Sequence, residues 1–528
     1  MTKQSDRWLE NILIYYAKKY SPERKWDRVY VTTLFTFYWK KTLNAIKFAK
    51  RVSKSIEGVY VGGIAASLIP ELISRETGLS IGGNIIKGLL DKPGILDDNN
   101  IIIEQITPDY SILDTVNYHY SLDTGYLAYM TRGCTRGTCP FCAVPRLEPV
   151  YKEKISIKKQ IQTVAKIYGE RKDLILLDNN VLGSPRFSEI IQEIMEMGFV
   201  KGAQFVEPNH FWVLTEYLVQ GDSEYNEGQF LQKLFFLLNE FGNDRIRDED
   251  IRQEYYQLLR NHGLNTWNTF SKENILNHRK AINEYIEKYR NRAKKLRYVD
   301  FNQGLDCRYL DEEKMKMLSQ LPIRPMRIAF DYLSLREQYE RAIRLADSYG
   351  VRKLSNYILF NYKDKPKELW QRLKINIDLN RELQAEIYSF PMKYLPICEK
   401  EGEDPTDRSF VGEHWNRKYL RAIGCILNAS GGVVTVSSSF FDAAFGETLE
   451  DFFKILLMPE PYIRYRNHFK NTGSTDLWWG QWNNLSETER KQVLPIIYSN
   501  DFSSFVGSSN RSINQFMQHY LIRYRPER

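Results

Sequence analysis

The chain has 528 residues, 43% of them hydrophobic and 27% charged, with only 30 glycines and 19 prolines. That length fits roughly three domains, and the composition excludes collagen-like, fibrous and wholly disordered chains. The 74 basic and 66 acidic residues leave a formal charge of +8, which permits a polyanionic partner without implying one.

The opening MTKQSDRWLENILIYY has no secretory pattern. No apolar run approaches the ~18 residues that span a bilayer, so the expectation is a soluble, cytoplasmic protein with no membrane partner. After this short amphipathic start, residues 27–39 are predicted as a buried strand and residues 40–53 as a helix, because apolar side chains recur at helical spacing. A second strand at 59–61 enters the Gly62-Gly63 turn, and a helix resumes over 69–75. Without the G-x-G-x-x-G spacing, that glycine pair reads as a tight turn, with ligand contact as the alternative. Residues 101–114 are expected to form a last strand and exit loop. Residues 1–118 thus read as a Rossmann-like parallel α/β domain, whose ligand crevice lies beyond the carboxyl ends of its strands.

From Tyr126 strands and helices alternate again, with strands expected near 126–133, 173–182, 298–310, 325–333, 356–364 and 385–397. The alternation breaks at about 205–297, a helical, Tyr-rich and charged stretch read as an insertion. Six parallel strand-helix units make a partial (β/α)6 barrel over 119–398, in which reacting residues sit where strands end and loops begin. Residues 399–528 are expected to form a mixed C-terminal extension, with a helix and a Gly turn over 417–441 and a loop-like aromatic stretch over 469–484.

Only six cysteines occur, and three of them (Cys134, Cys139, Cys142) lie in TRGCTRGTCPFCAVPRLEP directly after a predicted strand. Clustered thiols with no disulfide framework argue for a metal site. Soft thiolates suit zinc and iron–sulfur clusters alike. A closed zinc site needs a fourth ligand, and the nearest histidine in sequence is His119. Three cysteines on a [4Fe–4S] cluster leave one iron open.

A three-cysteine loop after the first strand of a six-unit β/α barrel, with Phe141 just before the last cysteine, resembles the radical S-adenosylmethionine superfamily. Here the spacing is C-x4-C-x2-C, one residue longer than the C-x3-C-x2-C usual in that family. The resemblance implies a [4Fe–4S] cluster on Cys134, Cys139 and Cys142 that binds S-adenosylmethionine at its open iron. It further implies reductive cleavage to methionine and a 5'-deoxyadenosyl radical, and an external electron donor such as flavodoxin or ferredoxin. It places S-adenosylmethionine contacts at the strand ends: Asn179 and Asn180 for the methionine moiety, Gln303 and Asp306 for the ribose, Arg308 for the carboxylate, with Asp331 and Asn361 at the two later strand ends. Cys307 reads as a small barrel residue. The preceding α/β domain, in VYVTTLFTFYW and VYVGGIAASLIPELI, resembles the cobalamin-binding subclass, which implies methyl transfer or another cobalamin-assisted reaction. Residues 1–118 contain no histidine and hence no D-x-H-x-x-G motif, so either cobalamin binds there without a histidine ligand or the domain is a retained scaffold or a substrate platform.

Two alternatives stay open. The run Lys288, Arg290, Arg292, Lys294, Lys295 and Arg297, interleaved with Tyr289 and Tyr298, is either a solvated helix face or a phosphate-contacting surface of a nucleic-acid-modifying enzyme. A zinc-stabilised, non-catalytic interaction protein is the other class. Trp478, Trp479 and Trp482 read as packing residues or as a stacking surface, and His414, Arg417 and Arg421 as a helix near the barrel mouth. The substrate is not legible.

Overall fold

The computed structural model describes residues 25–96, 99–110, 125–220, 227–399, 403–503, 505 and 507–524. The N-terminal start, residues 111–114 of the expected last strand, the boundary at 118/119 and His119 lie outside them. The described protein is a mixed α/β chain with parallel sheets.

In the N-terminal unit, β1 (Val29–Thr33) and β2 (Val59–Gly63) pair in parallel, with Val29 opposite Val59 and Thr33 opposite Gly63. The crossover helix Trp39–Val52 buries Thr42, Ile46, Ala49 and Val52, which share one face because they are spaced three or four apart. Ile46 and Ala49 meet Val59, Val61 and Ile85 in a small core. The Gly62-Gly63 turn is structural. Gly63 has φ +96, and a Cβ there would lie 2.4 Å from the Thr33 carbonyl oxygen. Thr33 Oγ1 donates to the Gly62 carbonyl at 2.8 Å and accepts from Ala66 N at 2.9 Å, fixing the helix entry. Gly63→Ala is therefore expected to destabilise this unit by more than about 1 kcal/mol, read as a lower unfolding midpoint.

The expected strand over 101–114 is corrected within its described part: Ile103–Gln105 is a single 3-10 turn. Glu104 is drawn away from any sheet, accepting from Arg132 at 2.5 Å and from the Tyr129 hydroxyl at 3.1 Å. Ile101 and Ile106 stay exposed on either side.

Six parallel strands follow in chain order. They are β3 (Gly125–Ala128), β4 (Asp173–Leu176), β7 (Val299–Phe301), β8 (Met326–Arg327), β9 (Lys353–Phe360) and β10 (Glu386–Lys393), in two three-stranded sheets. The sheets are bridged at Leu305 and Ile328, where Leu305 N donates to Arg327 O at 2.7 Å and Ala329 N to Leu305 O at 3.0 Å. Strands β3, β4, β7 and β8 are shorter than the predicted runs, at two to four residues each. Pro391 sits in β10, an edge strand, where its missing N–H is tolerated. That edge is covered by an antiparallel bridge to Val434.

Between β4 and β7, the two-residue strands β5 (Gln204–Phe205) and β6 (Lys295–Leu296) pair antiparallel and bracket five helices among the described residues from His210 to Tyr289. This segment does not fold around a core of its own. Its Phe211, Leu234, Tyr255 and Ile282 are contiguous with Leu174, Val299 and Ile328 of the strand region.

Described residues after Asn416 form eight helices, so the expectation of a mixed extension with an aromatic loop is corrected. The tryptophan stretch is helix Ser474–Asn484. Trp478 is fully buried, and Trp482, one turn on, packs on Phe516 at 5.6 Å between ring centroids. These helices share a core with Ile358, Phe360 and Leu369 from β9 and the helix after it.

Candidate functional site

The three cysteines and the β4, β7 and β8 strand ends surround one cavity of about 180 Å³. Cys134, Cys139 and Cys142 line it together with Asn179, Asn180, Gln303, Asp306, Arg308 and Asp331.

The cysteine loop is anchored from beneath by Asp178. Its Oδ1 accepts from Met130 N at 3.0 Å, Thr131 N at 2.5 Å and Thr131 Oγ1 at 2.7 Å. Burial pushes the Asp178 carboxyl up to about 6, against the pull of those three donors. A carboxyl whose folded pKa exceeds its unfolded value favours the folded state while protonated. That contribution is full below the ordinary value of 3.8 and is lost as pH rises through about 6. Asp178→Asn is expected to flatten the decline in stability across that window, measured by denaturant midpoints at successive pH values.

Glu148 organises the start of the loop. It accepts from Arg132, from Gly133 N at 2.7 Å and from Asn179 Nδ2 at 2.8 Å. The Arg132 guanidinium also stacks 3.9 Å from the Tyr129 ring centroid. Gly133 (φ +73) is required here, since a Cβ would lie 3.0 Å from the Glu148 and Val150 carbonyl oxygens. Phe141 packs between Tyr332 and Tyr362, at 5.8 and 6.0 Å between ring centroids.

Arg136 reaches across the cavity, donating to Cys139 Sγ and pairing with Asp306 at 2.5 Å. Burial raises the Cys139 and Cys142 thiols, while Arg136 opposes the rise at Cys139. Asn180 Nδ2 lies 3.6 Å from Cys134 Sγ. Asn180 Oδ1 and Arg136 Nε are buried without partners. Burial raises Asp331 to about 6, with Arg136 and Arg372 pulling the other way.

Six of the seven strand-end residues singled out in the sequence line this cavity, but several are engaged. Asn179 is held by Glu148. Both oxygens of Asp306 are taken, by Arg136 and by the Arg308 fork at 2.8 and 2.9 Å, so the carboxylate that Arg308 grips is a protein one. Asn361 is corrected outright: it is fully buried, donates to the Tyr394 and Phe410 carbonyls at 3.2 Å each, and accepts from Gly412 N at 2.8 Å. With φ +67, it ties the end of β9 to the chain just after β10 and to the loop before helix Arg417–Ala429. Asp178 and Glu148 were missed as organisers. Their only sequence signal is adjacency, Asp178 directly before the Asn179-Asn180 pair and Glu148 just after the cysteine loop. Cys307 is buried as expected, its thiol pushed up to about 12 by burial.

The other candidate surfaces are largely spent on intramolecular contacts. Arg290 and Arg292 pair with Glu287, Lys295 with Glu207, and buried Arg297 with Glu170 and the carbonyls of Arg171 and Lys172. Arg421 is held by Glu460.

Three thiols line the cavity, and thiolates are soft donors that suit zinc and iron–sulfur clusters alike. Among the described residues, no group of three His, Cys, Asp or Glu side chains is placed to hold a metal ion.

Fold and site together define a parallel α/β protein with a thiol-lined cavity at its strand ends. No family model matches the chain, and no curated protein matches it. Two solved structures of the radical S-adenosylmethionine methyltransferase TsrM from Kitasatospora setae are similar to it. The one with cobalamin and a [4Fe–4S] cluster bound is 14% identical, with 74% of this chain and 67% of that chain covered at a TM-score of 0.34. The one with tryptophan substrate and the S-adenosylmethionine analogue aza-SAM bound is 14% identical, with 80% and 69% covered at a TM-score of 0.35. No described helix is long and apolar enough to cross a membrane.

Proposed function

We propose that this chain is a radical S-adenosylmethionine enzyme, with an N-terminal cobalamin-binding-like unit (1–118), a partial (β/α)6 barrel (119–398) and a helical extension (399–528). The observation that carries the reading is the single cavity in which Cys134, Cys139 and Cys142 face polar strand ends. The three cysteines would hold a [4Fe–4S] cluster. Together with S-adenosylmethionine, that cluster supplies one-electron reductive chemistry on a sulfonium, drawing on an external donor such as flavodoxin or ferredoxin.

The chain's own residues position and insulate. Asn180 Oδ1, with no partner of its own, and the Asp331 carboxyl are the acceptors left for the ammonium group of S-adenosylmethionine. The exposed Gln303 is left for the ribose hydroxyls. Arg136 places a positive charge against the thiolate of Cys139 and offsets the charge of the cluster. Phe141, Tyr332 and Tyr362 wall off one side from water.

Cobalamin has a place in the same reading. Helix Ile64–Leu68, directly after β2, packs beside the helical turn Val144–Leu147 that follows Cys142. Leu34 and Phe35 are exposed just past β1, and Phe35 stacks on Phe37 at 5.2 Å. Such a flat apolar surface suits a macrocycle face, with no histidine in residues 1–118 to ligate its metal. The test is anaerobic reconstitution with iron and sulfide, followed by iron analysis and 5'-deoxyadenosine release under strong reductant.

A further inference from the structure

The C-terminal helices and the chain after the last of them border a second, open cavity of about 440 Å³, which shares no residue with the cysteine cavity. Lys418, the second residue of helix Arg417–Ala429, forms part of its wall. The Lys418 side chain is 0% exposed, and its Nζ has no hydrogen-bond partner. A buried ammonium without a partner is costly, and proteins normally pair it. The nearest candidate, Glu460, is committed elsewhere: both its oxygens accept from Arg421, at 2.8 and 2.6 Å, and one also from Asn500 Nδ2 at 3.1 Å.

A second unsatisfied group belongs to the same wall. Asn500, at the left-handed end (φ +54) of helix Glu487–Ser499, has a buried Oδ1 with no donor. Arg464 and Arg523 also line the cavity, with no carboxylate paired to either among the described residues. Three cations thus share the cavity with one carboxylate, Glu460, which attracts Lys418 across space while its oxygens are engaged by Arg421 and Asn500. Tyr465 and Tyr524 add an aromatic edge, their rings 5.0 Å apart and steeply inclined. The space is far larger than the ~30 Å³ share of a single water.

We propose that this cavity binds a phosphate-bearing small molecule. Lys418, Arg464 and Arg523 take the phosphate oxygens through charge-assisted bonds. Asn500 Oδ1 accepts from a hydroxyl or amine elsewhere on the ligand, and the tyrosine pair flanks its body. The site stands independently of the chemistry at the cysteines.

The experiment is thermal unfolding of the full chain titrated with inorganic phosphate at constant ionic strength, with chloride and acetate in parallel. A saturable rise in the midpoint with phosphate is expected, because a ligand that binds only the folded state stabilises it by mass action. Lys418→Met, which removes an unpaired charge and so retains the fold, and Arg523→Gln on the exposed rim are each expected to weaken the phosphate response about tenfold or more. The response is expected to persist in Cys139→Ala, which separates this site from the cysteine cavity. No saturable phosphate effect, an equal or stronger effect of acetate, or an undiminished response in both the Lys418 and Arg523 variants would overturn the proposal.

Discussion

Cys139→Ala is expected to lower the iron content of reconstituted protein from about four per chain to a small fraction of that, and to bring 5'-deoxyadenosine release to background. Cys139 is the cysteine that Arg136 contacts directly, and it is the middle member of the only group of three cysteines close in sequence. Removing one thiolate leaves an iron of the cluster without a protein ligand, and alanine offers no replacement donor. A graded companion sharpens the result. Asn180→Ala removes an amide 3.6 Å from Cys134 Sγ while leaving all three thiolates in place. Outer-shell losses of this kind typically reduce metal affinity or activity by about 10–100-fold, so a partial loss is expected there. Unchanged iron in Cys139→Ala would sink the cluster assignment, and about one zinc per chain in the native protein would replace it with a structural metal.

Arg372→Met is expected to destabilise the protein by about 3–5 kcal/mol, the range for breaking a buried ion pair by removing one partner. Arg372 is fully buried on helix Pro366–Leu383 and donates to Asp364 Oδ2 at 3.1 Å, to Asp331 O at 2.6 Å and to the Phe330 and Glu368 carbonyls. One side chain therefore gathers the backbone after β8, the loop after β9 and the following helix. Methionine fills a similar volume but strands the Asp364 carboxylate, which burial already raises above its usual range. Arg372→Met combined with Asp364→Asn is expected to recover part of the loss. Urea midpoints of the four proteins, including wild type, measure the coupling; an additive double variant would show that the two groups do not interact. Because Asp331 borders the cysteine cavity, the single variant is also expected to lower 5'-deoxyadenosine release.

Legibility followed the range over which each feature is encoded. The three cysteines share one loop, and a loop supplies ligands at spacings that can be read directly. Strand β4 could be found because Leu174, Ile175 and Leu176 are all buried, so both of its faces are covered and it reads as a continuous apolar run. The crossover helix of the N-terminal unit was legible for the converse reason, a single buried stripe facing β1 and β2. The described part of the expected strand, 101–110, failed because an apolar run is only permissive. No strand forms over Ile103–Gln105, where Glu104 is committed to Arg132 and Tyr129. The tryptophan stretch failed because its glycines and asparagines suggested a loop, whereas burial of Trp478 in the C-terminal core overrides those weak preferences.

By itself, then, the sequence determined the cysteine set, the alternation of parallel strands and helices, and the strand ends at which polar residues would gather. Tertiary structure alone decided which of those residues stay available. Asp306 is taken by Arg136, 170 residues away in the chain, and Asn361 is turned inward by contacts that Tyr394, Phe410 and Gly412 provide. It alone also left Lys418 without a partner, by giving both oxygens of Glu460 to Arg421. The physical reason is competition: a buried polar group bonds whichever complementary group packing brings within reach, and local sequence pattern carries no record of that encounter.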